Sequence, residues 1–323
     1  MYKIKQTPED FVVKEVMDLP KNSGSFSYFL LTKRNKNTYG SLDIIANKFD
    51  IAIKRISFSG LKDKNAVTSQ YIAIHNLEEK YKKDFDFGDL EIKFLGCFDK
   101  PIYRGQHISN KFDIVVRNLD KKHKKANFIE NYFDEQRFSQ NNVEVGRVIV
   151  KKDFALACKI LGKLDTGNSI SLLRKYYGKN LRFFVNAYQS YLFNIVLFNL
   201  LKDRKDARVI KYESGLLFAF CVRKHSNIKI PLINFDSEIK GDKLKRIYDL
   251  VLRKDRVRKE DFLIRQIPEI VSRGTTRDSQ VIVKWENILF LEDELNKGKI
   301  KAVLTFCLPK GAFGTVLVKK MFS

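Results

Sequence analysis

The run Gly60-Leu61-Lys62-Asp63-Lys64-Asn65-Ala66-Val67-Thr68-Ser69-Gln70 holds the residues best suited to chemistry. Asp63 stands between two lysines, and nearby positive charge favours the carboxylate form of an acid. A charged carboxylate suits a nucleophilic or an electrostatic role. The same residue types also describe a surface turn, in which Asp, Asn and Lys are ordinary. A phosphotransferase aspartate fits less well, because Asn65 stands where a second acid is usual.

The flanking residues say how Asp63 is held. Ile56 and Phe58 alternate with polar neighbours as on a half-buried strand, and Val67 with Tyr71-Ile72-Ala73-Ile74 opens a second one. Asp63 is therefore expected on a short loop between two strands, next to a glycine that lets the backbone bend. Upstream, Asp10–Val16 and Phe26–Leu31 read as strands joined by a turn at Lys21-Asn22-Ser23-Gly24. Thr38 is expected to cap a helix with Leu42, Ile45, Ala46 and Phe49 on its inner face. Two more strands follow at Leu90–Phe98 and Lys111–Arg117, with a basic loop from Tyr103 between them.

Past residue 155 the texture becomes helical. Ala187–Asn194 opens one helix, with Tyr188, Tyr191, Leu192, Ile195 and Asn199 on a stripe suited to packing. A second, about Asp242–Lys254, buries Leu244, Ile247, Tyr248 and Val251 and exposes a row of lysines and arginines. Those cations suit either phosphate contact or a solvated face. At the end, Val303–Cys307 reads as a strand, Leu308–Gly311 as a turn and Ala312–Val318 as the next element.

Composition narrows the partner. The 323 residues are long enough for two lobes. Hydrophobic residues at 44% and charged ones at 31% describe a soluble globular chain. Sixty-one Lys+Arg against 38 Asp+Glu leave a net charge of +23, which favours a polyanion, nucleic acid first. No apolar run approaches the ~18 residues of a membrane helix, and the first ten residues lack the apolar core of a secretory signal. A cytoplasmic protein is expected. Cys97, Cys158, Cys221 and Cys307 lie far apart, and His75, His107, His123 and His225 have no metal-ligand spacing. Reduced thiols and no metal are expected.

The run from Gly60 to Gln70 resembles the signature of the TruD family of tRNA pseudouridine synthases, in which the aspartate is the nucleophile. Further segments resemble that family in the expected order. Asn131-Tyr132-Phe133-Asp134-Glu135-Gln136-Arg137-Phe138 matches its N-Y-F-x-x-Q-R-F segment, and Leu308-Pro309-Lys310-Gly311-Ala312-Phe313-Gly314-Thr315-Val316-Leu317-Val318 matches its closing motif. The loop from Tyr103 to Phe112 is similar to its second motif, with fewer Arg and Gly. The resemblance implies that Asp63 is catalytic and that Phe11, Asn131, Phe133 and Phe313 bind the substrate nucleotide. Lys5, Lys62, Gln70 and Arg137 are supporting candidates. Lys5 matches a family lysine near the active site, whereas Lys62 and Lys64 are expected to face phosphate or solvent. Each phenylalanine alone would read as core.

The fold implied is α+β, a catalytic domain with a bent, mostly antiparallel mixed sheet plus an inserted α/β domain. The catalytic domain is expected over residues 1–156 and 289–323, and the insertion over 157–288. The insertion lacks the family's usual Gly/Pro-rich turn near Ile230-Pro231-Leu232-Ile233. The implied reaction converts a uridine of tRNA, position 13 by family resemblance, to pseudouridine. It needs no redox step or group donor, so no cofactor is expected, and the chain has no dinucleotide or P-loop fingerprint. The carboxylate can attack C1′ or take a proton from the sugar, and the residues leave both routes open. Two competing readings are a catalytically silent tRNA-binding protein or RNA chaperone, which would bind tRNA without making pseudouridine, and a hydrolase, which would release free uracil and needs a second acid.

Overall fold

The computed structural model describes residues 1–138, 141–163, 167–212 and 215–323. Its compact units are Met1–Asn127 with Ile282–Gly314 and Met321–Ser323, and Phe128–Val281 with Thr315–Lys320.

The first unit is built on a nine-stranded mixed sheet. Its elements are β1 (Phe11–Val16), β2 (Phe26–Arg34), α1 (Thr38–Lys48), β3 (Ile56–Phe58), β4 (Val67–His75), β5 (Phe85–Asp86), β6 (Leu90–Phe98), β7 (Ser109–Leu119), β8 (Lys284–Glu292) and β9 (Ile300–Pro309). The strands run in the order β8-β9-β7-β1-β4-β2-β6-β5, with β3 also on β4. Only β1 and β4 pair in parallel. Phe29, Leu31, Ile72, Ile74 and Ile92 meet Leu42, Ile45 and Phe49 from α1 and the turn after it, forming the apolar core on one face. Tyr28, Ala73, Met17 and Ile102 form a smaller cluster.

Strand β4 changes partner along its length. Its first residues, Val67 to Ser69, pair with β1, and its last, Ile72 to Ile74, pair with β3. The sheet forks between them, at Gln70 and Tyr71, and the Asp63 loop springs from that fork.

The start of α1 departs from expectation. Asn37, rather than Thr38, is the cap, its side-chain oxygen accepting the Gly40 N–H at 2.7 Å. Thr38 is buried, and its hydroxyl faces the fork instead, accepting the Lys62 N–H at 3.1 Å and donating to Gln70 Oε1 at 3.2 Å. The last strand is longer than expected, and a turn separates it from a helix that begins only at Gly314.

The second unit is helical at its centre, with α2 (Asn142–Val150), α3 (Phe154–Ile160), α4 (Ser169–Tyr177), α5 (Leu181–Leu201) and α6 (Asp242–Asp255). Residues 315–320 of α7 (Gly314–Phe322) also group here. The helix expected to open at Ala187 begins six residues earlier, because Leu181, Phe184 and Val185 are already on its buried side. It packs against α2, where a Cβ on Gly146 would lie 2.1 Å from the Phe184 carbonyl oxygen, so only glycine allows the approach. On α6, Leu244, Ile247, Tyr248 and Val251 are buried while Lys243, Lys245, Arg246, Arg253 and Lys254 are exposed. Ile230-Pro231-Leu232 lies in a strand paired with Thr275–Asp278. Among the described residues no helix is long and apolar enough to cross a membrane.

Candidate active site

Asp63 lies on the loop between β3 and β4, as its neighbours' alternation predicts. Its carboxylate is partly open to solvent, and Lys5 Nζ stands 3.0 Å from Oδ2. Lys5 adopts a left-handed backbone, with φ of 57°, a conformation costly for a side chain with a Cβ and found disproportionately at functional positions. Its ammonium also lies 4.2 Å from the centroid of the Phe11 ring. Phe11, Lys5 and Asp63 thus form one contiguous constellation.

A second lysine holds the loop from below. Lys33 is fully buried on β2 and donates to the Asp63 carbonyl oxygen at 2.7 Å and the Lys36 carbonyl oxygen at 2.6 Å. Burial pushes its ammonium down to about 8, against the pull of Asp63 and with the help of Lys62.

Glu15 fills the fork of the sheet. Its side chain is wholly buried, with Oε1 accepting the Ser59 hydroxyl at 2.6 Å and the Lys62 ammonium, and Oε2 accepting the Tyr71 N–H at 3.1 Å. Lys62, expected at phosphate or solvent, is turned inward, because a buried carboxylate needs a counter-charge. Lys64 is exposed. His107 Nδ1 lies 3.9 Å from Glu15 Oε1, and burial followed by Lys62 lowers its pKa. Gln70 is buried and bridges the loop, its amide nitrogen donating to the Gly60 carbonyl at 3.2 Å. Gly60 itself needs no glycine conformation: an added Cβ would meet only His107 Cε1, at 3.9 Å. The loop is shaped by these side-chain bonds rather than by glycine freedom.

Aromatic rings line the same unit. Phe11 is buried and meets Phe112 edge-on at 6.4 Å, and Phe112 stacks on Phe306 at 5.2 Å. Phe313 is half-buried. On the basic loop, Arg104 donates to the Tyr39 hydroxyl at 3.0 Å and covers the Phe58 ring at 4.7 Å.

The second unit holds Asn131, Phe133 and Arg137. Residues 131–134 are irregular and lead into a short 3-10 turn, Glu135–Phe138. The Asn131 side chain is engaged at both ends: Nδ2 donates to the Asp278 carbonyl at 3.0 Å, and Oδ1 accepts from Arg277 at 2.5 Å. Phe133 is nearly buried, with Phe193 edge-on at 5.5 Å and the Arg277 guanidinium 4.2 Å from its ring centre. Asn194 fastens the Phe133 backbone, accepting its N–H and donating to its carbonyl.

Sequence reasoning missed Glu15, Lys33 and Arg277. For the first two a signal existed. Strand alternation puts Glu15 on the face of Phe11 and Val13, and Lys33 on the face of Phe29 and Leu31. A charge at an inward position of a strand is a functional flag. Arg277 carries no such signal.

The first unit is a mixed-sheet α+β fold that carries an ion-paired carboxylate on a short loop, with the Lys5 ammonium and the Phe11 ring beside it. The chain belongs to the tRNA pseudouridine synthase D (TruD) family, whose model matches residues 2–171 and 165–321. It is 29% identical to tRNA pseudouridine synthase D of Aquifex aeolicus, over 99% of this chain and 98% of the other. A Nanoarchaeum equitans protein assigned the same name is 30% identical over 99% and 98%. The crystal structure of a Methanosarcina mazei chain assigned to TruD superposes with a TM-score of 0.66 at 26% identity, covering 99% of this chain and 93% of that one.

Proposed function

We propose that this tRNA pseudouridine synthase isomerises a uridine of tRNA with Asp63 as its catalytic carboxylate. The observation that carries the reading is the Lys5–Asp63 pair, an aspartate on the family's signature loop with a cation at 3.0 Å. The uridine at position 13 of tRNA is the target that family resemblance favours.

Isomerisation breaks the bond from C1′ to N1, turns the base and joins C5 to C1′. The proton on C5 leaves and N1 gains one, so the product has the atoms of the substrate. Asp63 acts at the sugar, where a carboxylate either bonds to C1′ or removes a sugar proton. Lys5 places its ammonium beside the carboxylate, whose charge changes in the step, and Lys33 and Glu15 hold the loop at fixed geometry. Effective alignment of reacting groups of this kind is worth about 7–11 kcal/mol of barrier. Phe11, Phe313, Asn131 and Phe133 are assigned to the extruded nucleotide, since a ring stacked on a base contributes about 1–3 kcal/mol. The positive excess supplies affinity for the tRNA backbone. The domain extents 1–156 with 289–323 and 157–288 belong to the same proposal, as does action in the cytoplasm.

The test uses Asp63→Asn, which keeps shape and removes the charge. The variant is expected to fold, to bind tRNA as wild type does, and to make no pseudouridine when digested tRNA is analysed for the product. Wild-type amounts of pseudouridine from it would move catalysis elsewhere.

A further inference from the structure

Two guanidinium groups converge on Phe133. Arg277 covers its ring at 4.2 Å and Arg137 approaches the same ring at 5.9 Å, each also reaching a second phenylalanine, Phe193 at 5.8 Å and Phe183 at 5.5 Å. Both residues keep some solvent exposure. Arg277 is anchored, its Nε donating to the Asn131 carbonyl at 2.8 Å and its terminal nitrogen to Asn131 Oδ1. Arg137 is not: its Nε is buried with no hydrogen-bond partner among the described residues.

Two guanidinium groups share this corner, and Asp278 is the acid that favours the charge of Arg277. Burial, and after it the like charge of Arg137, lowers the pKa of Arg277, and burial lowers that of Arg137. The acids adjacent in sequence do not answer Arg137. Asp134 and Glu135 are both paired with Lys319, at 2.9 and 2.6 Å. A planar guanidinium presents donors in a fork that fits phosphate oxygens, and an unused donor held beside a second cation is what an anion site provides.

We propose that Arg137 and Arg277 form a phosphate site of the second unit, which grips a backbone phosphodiester of the RNA next to the nucleotide that Phe133 receives. The inference rests on the reading of Phe133 and Asn131 as substrate residues. It assigns Arg277 two tasks, fixing the Asn131 amide and binding the backbone. It also gives a reason for Phe133 to lie beneath a cation: the guanidinium over the ring, still bonded to Asn131, holds positive charge beside the place the phosphate would take.

Measure tRNA affinity against salt concentration for wild type, Arg137→Gln, Arg277→Gln and Arg277→Lys, with thermal unfolding of each as the folding control. A phosphate contact adds about 0.7 to 0.9 to the magnitude of the slope of log K against log salt. Each Gln variant is expected to flatten the slope by about that amount and to weaken binding about five- to tenfold at low salt. Arg277→Lys is expected to restore the slope but not the full affinity, because a point charge lacks the fork. An unchanged slope and affinity with reduced turnover would mean that the arginines only position Phe133 and Asn131, and the phosphate site would be wrong. If Arg277→Gln does not fold, Arg137→Gln decides alone, since its Nε makes no hydrogen bond among the described residues that the substitution would remove. Phe133→Ala separates this inference from the reading beneath it. Full turnover in that variant removes the nucleotide assignment, whereas the slopes of the arginine variants report the phosphate contact directly.

Discussion

Lys5 Nζ and Asp63 Oδ2 are 3.0 Å apart, and the same ammonium lies over the Phe11 ring. One side chain thus stands beside the carboxylate proposed as catalytic and covers an aromatic face assigned to substrate. Lys5→Met should lower kcat about 10²-fold or more, the scale of removing one charged group from a preorganised site. Lys5→Arg should recover part of it. Single-turnover rates at saturating tRNA measure this directly, and an unimpaired Lys5→Met would make the pair incidental.

Lys33 is expected to give turnover an alkaline limb. Its ammonium is lowered to about 8 by burial, so its charge is lost as pH rises through that value, and with it the charged donor to the Asp63 carbonyl. Turnover is expected to fall on the alkaline side with a midpoint near pH 8. Stability moves the other way. Between about pH 8 and 10.5 the unfolded chain holds a proton on Lys33 that the folded protein does not, so this residue's contribution makes unfolding less favourable as pH rises. Arginine stays charged throughout, so Lys33→Arg, if folded, should lack the limb. The same limb in that variant would assign it to another group.

Glu15 is a stability element with a kinetic consequence. Glu15→Ala leaves Lys62 without its buried counter-charge and frees Ser59 and the Tyr71 N–H, so a loss of about 3–5 kcal/mol is expected by urea unfolding. Turnover should fall as well, because the loop that carries Asp63 loses its anchor at the fork. A variant as stable as wild type would show that water replaces the carboxylate without cost.

A buried cluster away from Asp63 is expected to contribute stability that is lost in acid. Arg117 meets Asp10 at 2.8 Å and Asp293 at 2.9 Å, tying β7 to the chain before β1 and to the turn between β8 and β9. Burial alone would raise the Asp293 pKa. The Asn118 N–H, the Asn296 amide, the Leu295 N–H and Arg117 together outweigh it and hold it at about 2, against 3.8 unfolded. Its contribution is therefore complete above about pH 4 and is lost as pH falls through about 2. Asp293→Asn should be less stable than wild type at pH 7, and the gap should close between pH 4 and pH 2. A gap independent of pH over that range would assign the effect to packing.

The local layout was legible in the chain itself. Alternation marked β3 and β4 and so placed Asp63 on the loop between them, and the three-to-four-residue period marked the inner faces of α1 and α6. These patterns depend on near neighbours, and strand and helix periods are properties of a short window. The resemblance to TruD likewise rests on contiguous runs. The partners of those runs were settled only by the tertiary structure. Lys5 and Asp63 are 58 residues apart, Lys62 and Glu15 are 47 apart, and Arg277 and Asn131 are 146 apart. Lys62 has the same sequence context whether it faces solvent or Glu15. What decides is the fork in the sheet, where a buried carboxylate must find a cation, and a fork is made by the pairing of β4 with two strands rather than by any single stretch of chain.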